Sequence, residues 1–372
     1  MMRIGITGQE GFIGQHLYNT LGLYPGEFFR VEYHRDFFDN EEKLNKFVSE
    51  CDVVVHLAAL NRHNDAQIIY NTNKKLVEKL ISSLTFTRSK AHVLFSSSSQ
   101  EEHDNLYGRS KKEGRQLLSK WAENHGGCFT GMVIPNVFGP FCKPNYNSFI
   151  ATFCHKLTHN ELPNIEVDGD VKLIYIDDLV RFILEKIRDR SGEKVVTVPY
   201  TEKRKVSEIL ILLEDFKMQY FQLGIIPALS NPFEVNLFNT FRSYIDHERH
   251  FPVRYERHAD QRGEFVEIVR LKSGGQVSFS TTFPGVIRGN HFHTRKIERF
   301  SVIKGKALIQ LRQIGTNEVL DFFLSGEEPA YVDMPIWYTH NIKNIGTNEL
   351  YTLFWISECF DPANPDTYKE NV

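Results

Sequence analysis

The apolar pattern of the chain changes character once, near residue 250, and that change limits the possible folds more than any single motif. From residue 3 to about 225, short β-rich runs alternate with longer segments of helical period, the order that builds a parallel sheet covered by helices on both faces. Strands are expected at Arg3–Thr7, Phe28–Tyr33, Val53–Leu57, His92–Ser96 and Phe129–Ile134, each apolar and largely β-branched or aromatic. Helices are expected at Asp65–Leu84 and Tyr107–Glu123. After Val253 the runs shorten and alternate with period two, at Phe265–Val269, Gln276–Phe283, Phe300–Ile303 and Ala307–Arg312, broken by Gly, Pro and Asn. The expected organisation is an α/β domain over residues 1–245 and an all-β sandwich or barrel over 250–372. Residues 224–252 carry Pro227, Pro232 and Pro252 without a clean period and read as a connector, so a chain beginning near Phe251 is expected to fold alone.

Charge and cysteine usage narrow the partners. Lys plus Arg (44) nearly balances Asp plus Glu (47), with no long block of one sign, which argues against nucleic acid or an anionic membrane surface as a partner. The five cysteines are odd in number and include no CxxC pair, which fits a reducing compartment, read as cytoplasm. No apolar run approaches the ~20 residues of a membrane span, and the start MMRIGITGQEGFIG lacks the form of a signal peptide.

Gly8, Gly11 and Gly14 form GxxGxxG directly after the first strand, where a tight turn must bring backbone N–H groups and a helix N-terminus against a pyrophosphate. A Gly-rich structural turn would give the same spacing; the place at the head of a βαβ pattern favours a dinucleotide site in a Rossmann-type domain. Tyr107 and Lys111 form YxxxK at the start of a helical run. An i, i+4 pair shares one helix face, so the ammonium is expected to favour the phenolate and make Tyr107 a proton donor or acceptor for a carbonyl/alcohol pair. The serines 96–99 end a strand at the sheet edge where such folds bind ligands, although a Ser-rich turn explains that composition equally well.

Together these residues resemble the nucleotide-sugar branch of the extended short-chain dehydrogenase/reductases. The ordered set TGQEGFIG (7–14), HLAA (56–59), Asn73, the serine cluster, YGRSK (107–111), PNVFGP (135–140) and YIDD (175–178) carries the resemblance over roughly residues 3–220. It implies that Gly8, Gly11, Phe12, Ile13 and Gly14 hold the cofactor pyrophosphate and that Leu57 and Ala58 flank the adenosine side. Asn73 joins the cofactor set, and Asn136 and Val137 lie by the nicotinamide. It makes Tyr107 and Lys111 the catalytic pair, with Ser98 as third member. Only eight residues separate Ser98 from Tyr107, fewer than the family usually has, so the serine role could fall on Ser97 or Ser99 instead. Ser99-Gln100 replaces the Asp-Glu of the 4,6-dehydratases, which argues against dehydration. The second strand ends Tyr33-His34-Arg35, and Arg35 suits a 2′-phosphate, so NADPH is favoured over NADH.

In the second half, His291 and His293 lie two apart, hence on one face of a strand, and Glu298 belongs to the next strand. Two imidazoles and a carboxylate suit Zn²⁺ or another borderline divalent ion, with His340 available as a fourth ligand. A metal-free catalytic pair or a polar lining are the competing explanations. The pattern GX5HXHX4EX6G followed by PX4HX3N resembles the two cupin motifs, which implies a double-stranded β-helix barrel with His291, His293, Glu298 and His340 as metal ligands. Trp337 stands where the second motif has glycine, so an altered turn before His340 is expected. Asp260-Gln261-Arg262-Gly263 and Arg288-Gly289-Asn290-His291 also resemble the nucleotide-sugar 3,5-epimerases, which implies His291 as a base beside a ketone. Tyr351 falls near the tyrosine acid of those enzymes. Their usual Gln and Lys are His293 and Glu298 here, which turns the site toward metal.

A reductase domain fused to an epimerase-like cupin resembles the bifunctional enzymes of capsular polysaccharide synthesis. That resemblance implies a UDP-linked 4-keto-6-deoxy amino sugar as substrate, epimerised at C3 in the cupin and reduced at C4 with NADPH to UDP-2-acetamido-2,6-dideoxy-L-talose, and a homodimer. Two rivals stay open: a reductase whose cupin is a non-catalytic sugar-binding or dimerising module, and an NAD⁺-dependent C4 epimerase with a cupin appendage.

Overall fold

The computed structural model describes all 372 residues. They form two compact units, one of Met1–Thr152 with Ile165–Ile209 and the other of Phe153–Asn164 with Leu210–Val372, so the first unit ends well before residue 245.

The first unit begins with the expected alternation: β1 (Met2–Thr7), α1 (Phe12–Leu21), β2 (Phe28–Arg30), α2 (Glu41–Glu50), β3 (Val53–His56), α3 (Ala66–Phe86), β4 (His92–Ser98), α4 (Leu106–His125) and β5 (Cys128–Ile134). It continues through β6 (Asn136–Phe138), the first residues of α5 (Phe149–Thr158, which belongs to the second unit from Phe153), β7 (Asp170–Tyr175), α6 (Ile176–Asp189), β8 (Glu193–Thr197) and β9 (Glu202–Lys205). Strands β2-β1-β3-β4-β5-β8 form one parallel sheet in that order, and β6-β7-β9 form a small second sheet. The central strands are buried on both faces, which is why Val53, Val54 and Val55 read as an unbroken apolar run. Phe47, Val54, Leu80, Phe95, Leu118 and Trp121 share one core between this sheet and its helices.

The second unit opens helically. The segment 224–252 is not a connector: α7 (Val206–Phe216) leads through a π-helical turn at Lys217–Gln222 to α8 (Pro232–Arg242) and α9 (His247–His250). Asn231 caps α8 by accepting from Glu234 N at 3.0 Å, and Pro232 sits in the first turn, where its missing N–H costs nothing. Leu237, Phe238 and Phe241 of α8 are fully buried, so tertiary packing overrides the proline-rich composition.

The rest is β: β10 (Val253–Arg254), β11 (Arg257–Asp260), β12 (Gly263–Val266), β13 (Gln276–Thr282), β14 (Ile287–Phe292), β15 (Glu298–Lys304), β16 (Lys306–Gln313), β17 (Val319–Ser325), β18 (Ala330–Met334), β19 (Tyr338–Asn344), β20 (Leu350–Ile356) and β21 (Tyr368–Lys369). Two five-stranded antiparallel sheets, β10-β18-β15-β20-β13 and β17-β16-β19-β14-β21, share a core that includes Val302 and Val332 from one and Ile309 and Ile342 from the other. The hairpin β11-β12 belongs to neither sheet. No helix is long and apolar enough to cross a membrane.

Candidate active site and metal centre

In the first unit, β1 delivers the chain into the glycine turn. Gly8 has φ +77°, and a Cβ there would stand 2.8 Å from Ala58 N; a Cβ on Gly14 would stand 2.2 Å from Gly8 O. Both positions therefore exclude side chains, which holds the backbone in a tight cradle. Gly11 at the N-cap of α1 offers no side-chain acceptor, which leaves the first-turn amides of Phe12 and Ile13 for an external anion. The Tyr33 phenol is hydrogen-bonded to the Gly8 backbone, so the segment after β2 lies alongside the cradle. Arg35 follows it, exposed. Leu57 and Ala58 leave β3 beside Thr7, whose backbone and hydroxyl oxygens accept from their amides at 3.1 and 3.4 Å. Asn73 is buried, and its amide is engaged with Leu60 N and O (2.7 and 3.1 Å) and Ser110 Oγ (3.1 Å); it holds the loop after β3 against α4.

The residues expected to be catalytic lie around Ser98. Its hydroxyl is hydrogen-bonded to the Tyr107 phenol and accepts from Gln100 N at 3.2 Å. Ser97 instead donates to Glu101 Oε2 at 2.6 Å, and Ser96 Oγ to His56 O at 3.2 Å, so geometry selects Ser98 among the serines. The short connection to Tyr107 works because Gly108 presses against the turn Ser99–Glu102: a Cβ there would lie 1.9 Å from Gln100 O. The expected lowering of the Tyr107 pKa is not found. Burial raises it, to about 12, against the Ser98 hydrogen bond that lowers it. Lys111 does not reach the phenol oxygen; its Nζ donates to Ser96 O at 2.9 Å and lies 5.9 Å from the Tyr107 ring centroid. Burial lowers Lys111 itself to about 8. Asn136 and Val137 lie on β6, paired with Leu173 and Ile174 of β7.

In the second unit, the four residues expected as ligands come together across the two sheets. One donor atom from each of His291, His293, Glu298 and His340 lies within 4.8 Å of all the others. Glu298 Oε2 stands 3.0 Å from His340 Nε2 and 3.4 Å from His293 Nε2. Donors about 2.1 Å from a common tetrahedral ion would be about 3.4 Å apart, so the set fits a divalent metal. His291 faces His340 directly in the β14–β19 ladder, and a bulge at Asn290 (φ +57°) re-aims it into the cluster. Gly289 permits this, since a Cβ there would meet His340 O at 2.7 Å.

Backbone carbonyls fix the ring orientation. His293 Nδ1 donates to Asp366 O and His340 Nδ1 to Tyr338 O at 3.2 Å, which leaves both Nε2 atoms as lone-pair donors. Burial, then the neighbouring His340 and His293, pushes His291 down to about 4. Burial also opposes charge on His293, but Glu298 and Asp366 outweigh it and its pKa rises. Glu298 is held well below the carboxylate range because both histidines outweigh the effect of its burial. In the turn before His340, Trp337 adopts the left-handed conformation (φ +60°) that glycine takes most readily, its ring stacked on Phe292 at 5.6 Å. Tyr351 is not near the cluster. It pairs with Lys304 at the far end of β15 from Glu298, six residues or about 20 Å along the strand.

Comparison with known proteins agrees with this division. Residues 4–198 match the NAD dependent epimerase/dehydratase family, and residues 258–368 match the polysaccharide biosynthesis C-terminal domain. The chain is 32% identical to the UDP-2-acetamido-2,6-beta-L-arabino-hexul-4-ose reductase of Pseudomonas aeruginosa, over 100% of this chain and 99% of that protein. The crystal structure of the capsular polysaccharide assembling protein CapF from Staphylococcus aureus is similar over the whole of both chains, with TM-score 0.65 and 37% identity. RMD from Pseudomonas aeruginosa, complexed with NADPH, shares the fold over 59% of this chain and 83% of its own, with TM-score 0.53 and 20% identity.

Proposed function

Since the chain belongs to the NAD dependent epimerase/dehydratase family and carries a polysaccharide biosynthesis C-terminal domain, we propose that it is a bifunctional nucleotide-sugar enzyme. Its substrate is a UDP-2-acetamido-2,6-dideoxy-4-hexulose, which the second unit, read as a cupin, epimerises at C3 and the first reduces at C4 to UDP-2-acetamido-2,6-dideoxy-L-talose for surface polysaccharide. The observation that carries this reading is the end-to-end similarity to a reductase named for a sugar of this class.

The glycine cradle, Leu57 and Ala58, Asn136 and Val137 would hold NADPH, with Asn73 supporting the loop and Arg35 beside the ribose phosphate. Bound there, NADPH supplies a hydride to the ketone carbon. Tyr107, kept protonated at neutral pH by burial, gives its proton to the carbonyl oxygen while Ser98 holds that oxygen by hydrogen bonding. Lys111 supplies positive charge under the phenol. His291, His293, Glu298 and His340 would hold Zn²⁺ or another divalent ion, which supplies Lewis-acid stabilisation of negative charge. The likeness of Arg288-Gly289-Asn290-His291 to the 3,5-epimerases makes His291 the candidate base for the C3 proton, a role open to it only when its lone pair is off the metal. One ketone serves both steps, acidifying C3–H and then accepting hydride, so epimerisation precedes reduction.

A homodimer also fits. The edge strand β13 exposes Val277 and Phe279 (71% exposed), and the unattached hairpin exposes Phe265 (63%), a surface that a second copy would cover.

The distance of Tyr351 from Glu298 favours one rival, a reductase whose cupin binds without catalysis. NMR of the keto sugar in D₂O decides. Deuterium at C3 without NADPH, then a C4 alcohol once NADPH is added, is the expected course; a C4 alcohol with no C3 exchange overturns the epimerase half.

A further inference from the structure

The chain after β20 is bound to the histidine pair more closely than a terminal tail requires. β21 pairs with β14 at His291↔Lys369 and Phe292↔Tyr368, and the Tyr368 ring stacks on Phe292 at 5.3 Å. Between β20 and β21, Asp366 is buried with its side chain wholly covered. Its carboxylate accepts from three successive backbone amides, Thr294 N at 3.1 Å, Arg295 N at 3.0 Å and Lys296 N at 3.0 Å, and from Thr294 Oγ1 at 2.7 Å. Its backbone oxygen accepts from His293 Nδ1. These residues are the whole link between His293 and Glu298 except Ile297, whose amide donates to Ser357 Oγ at 3.0 Å.

We propose that Asp366 is a positioning residue of the metal centre, a carboxylate that folds the loop between two ligands and turns the His293 ring so that Nε2 faces the ion. The inference rests on the metal reading of the cluster above. The loop has no strand partner over residues 294–297, so without an internal acceptor its amides would be left unsatisfied beside the cluster. Asp366 answers all three at once. A carboxylate is required because every group facing it is a donor; the amide nitrogen of an asparagine would oppose one of them. Asp366 itself sits at φ +42°, a backbone cost that this engagement offsets.

A purely structural anchor would lower stability and leave the folded site's affinity for metal unchanged. A positioning residue would change the affinity and the coordination. The test uses the full chain stripped of metal and titrated with Co²⁺, read by its visible absorption and by competition with a chelator. The native chain is expected to give the intense bands of a four-coordinate site. Asp366→Asn is expected to bind Co²⁺ 10–100-fold more weakly, the usual scale for losing such a partner, with weakened bands. Glu358→Gln, which alters only the Arg295 side-chain contact of the same tail, is expected to bind as the native chain does. Native affinity and spectrum in a folded Asp366→Asn protein overturn the role of Asp366 alone; absence of Co²⁺ binding by the native chain overturns the metal reading and this inference with it. If Asp366→Asn fails to fold, Thr294→Val, which removes one donor to the carboxylate, is expected to show the same trend to a smaller degree, and unchanged affinity there overturns the proposal.

Discussion

Arg299 and Asp333 form an ion pair closed off from solvent, with Nε to Oδ1 at 2.7 Å and Nη2 to Oδ2 at 2.9 Å. Two residues from the helical segment before the β-domain complete it. Tyr220 donates its hydroxyl to Asp333 Oδ2 at 2.6 Å, and Arg242 donates to the Tyr220 oxygen at 3.1 Å and to Met334 O at 3.3 Å. Met334 pairs with Glu298 in the sheet, so the network ends beside the His291–His340 cluster.

A chain beginning at residue 251 is therefore expected not to fold, contrary to the reading of 224–252 as a connector. It would leave Asp333 without the Tyr220 hydroxyl and Arg299 without Gly224 O, two hydrogen bonds to a buried ion pair each worth about 1.5–3 kcal/mol. Their sum of about 3–6 kcal/mol reaches the low end of a typical domain's stability, roughly 5–15 kcal/mol. A chain beginning at Leu210 keeps these groups, though not Phe153–Asn164, and is expected to be the more stable of the two. Circular dichroism of the two truncations checks this; a sharp melt from the shorter one would refute it.

The metal centre should hold about one divalent ion per chain, zinc by its donor set. His291→Ala and His340→Ala should each lose it, as elemental analysis of the purified proteins would report. Full occupancy in either variant would remove that residue from the ligand set.

The two motifs that read most clearly from sequence, the glycine cradle and HxHx4E, are local: the spacing itself sets which atoms converge, and the structure places them as the spacing requires. What was illegible depended on partners far away in sequence. The helix after Asn231 had a local signal, a cap residue followed by Pro232 and Glu234, but three prolines masked it, and only the packing on Phe216 and Tyr220 shows why Phe238 and Phe241 are apolar. Tyr351 looked like an acid because its register against β15 was unknown. Asp366 carried no signal at all, since a single aspartate in a tail shows nothing of the three amides it meets. The Tyr107 pKa was misread because helical spacing shows that Lys111 shares its face, yet not that the ammonium turns toward Ser96.

Tyr107→Phe should reduce NADPH oxidation by at least about 10²-fold, the lower end for loss of a general acid. Ser98→Ala should cost less, because it removes a hydrogen bond to the reacting oxygen and not the proton itself. Initial rates at saturating cofactor check both. A Tyr107→Phe enzyme with near-native turnover would displace Tyr107 from its role.

The first unit should lose stability as pH falls from 6.5 to about 4. Burial lowers His16 to about 4 and His56 to about 3, so both stay neutral when folded while the unfolded chain takes up protons below about 6.5. The unfolded state binds more protons in that window, so stability rises with pH across it, by about 1.4 kcal/mol per pH unit for each histidine. His16→Gln keeps a donor for Pro140 O, which His16 Nε2 contacts at 3.0 Å, and removes one titrating group. Urea unfolding at pH 5 and pH 7 should show a difference smaller by about 2 kcal/mol in the variant. An equal difference in both proteins would mean that His16 is not protected from protonation.

The two activities should be separable and ordered. Tyr107→Phe should still exchange the C3 proton of a UDP-linked 4-keto-6-deoxy amino sugar, because abstraction needs the ketone and the second unit only. His291→Ala should lose exchange whether that histidine is a base or a ligand, while its NADPH binding, read by the cofactor's fluorescence, should match that of the native chain. Mixing the two damaged proteins should restore some reduced product, since a ketone epimerised by one can diffuse to the other. Equal rates of reduction on substrate never exposed to a working second unit would end the case for an obligatory order, and would leave the His291–His340 cluster as a device for binding or for holding the β-domain together.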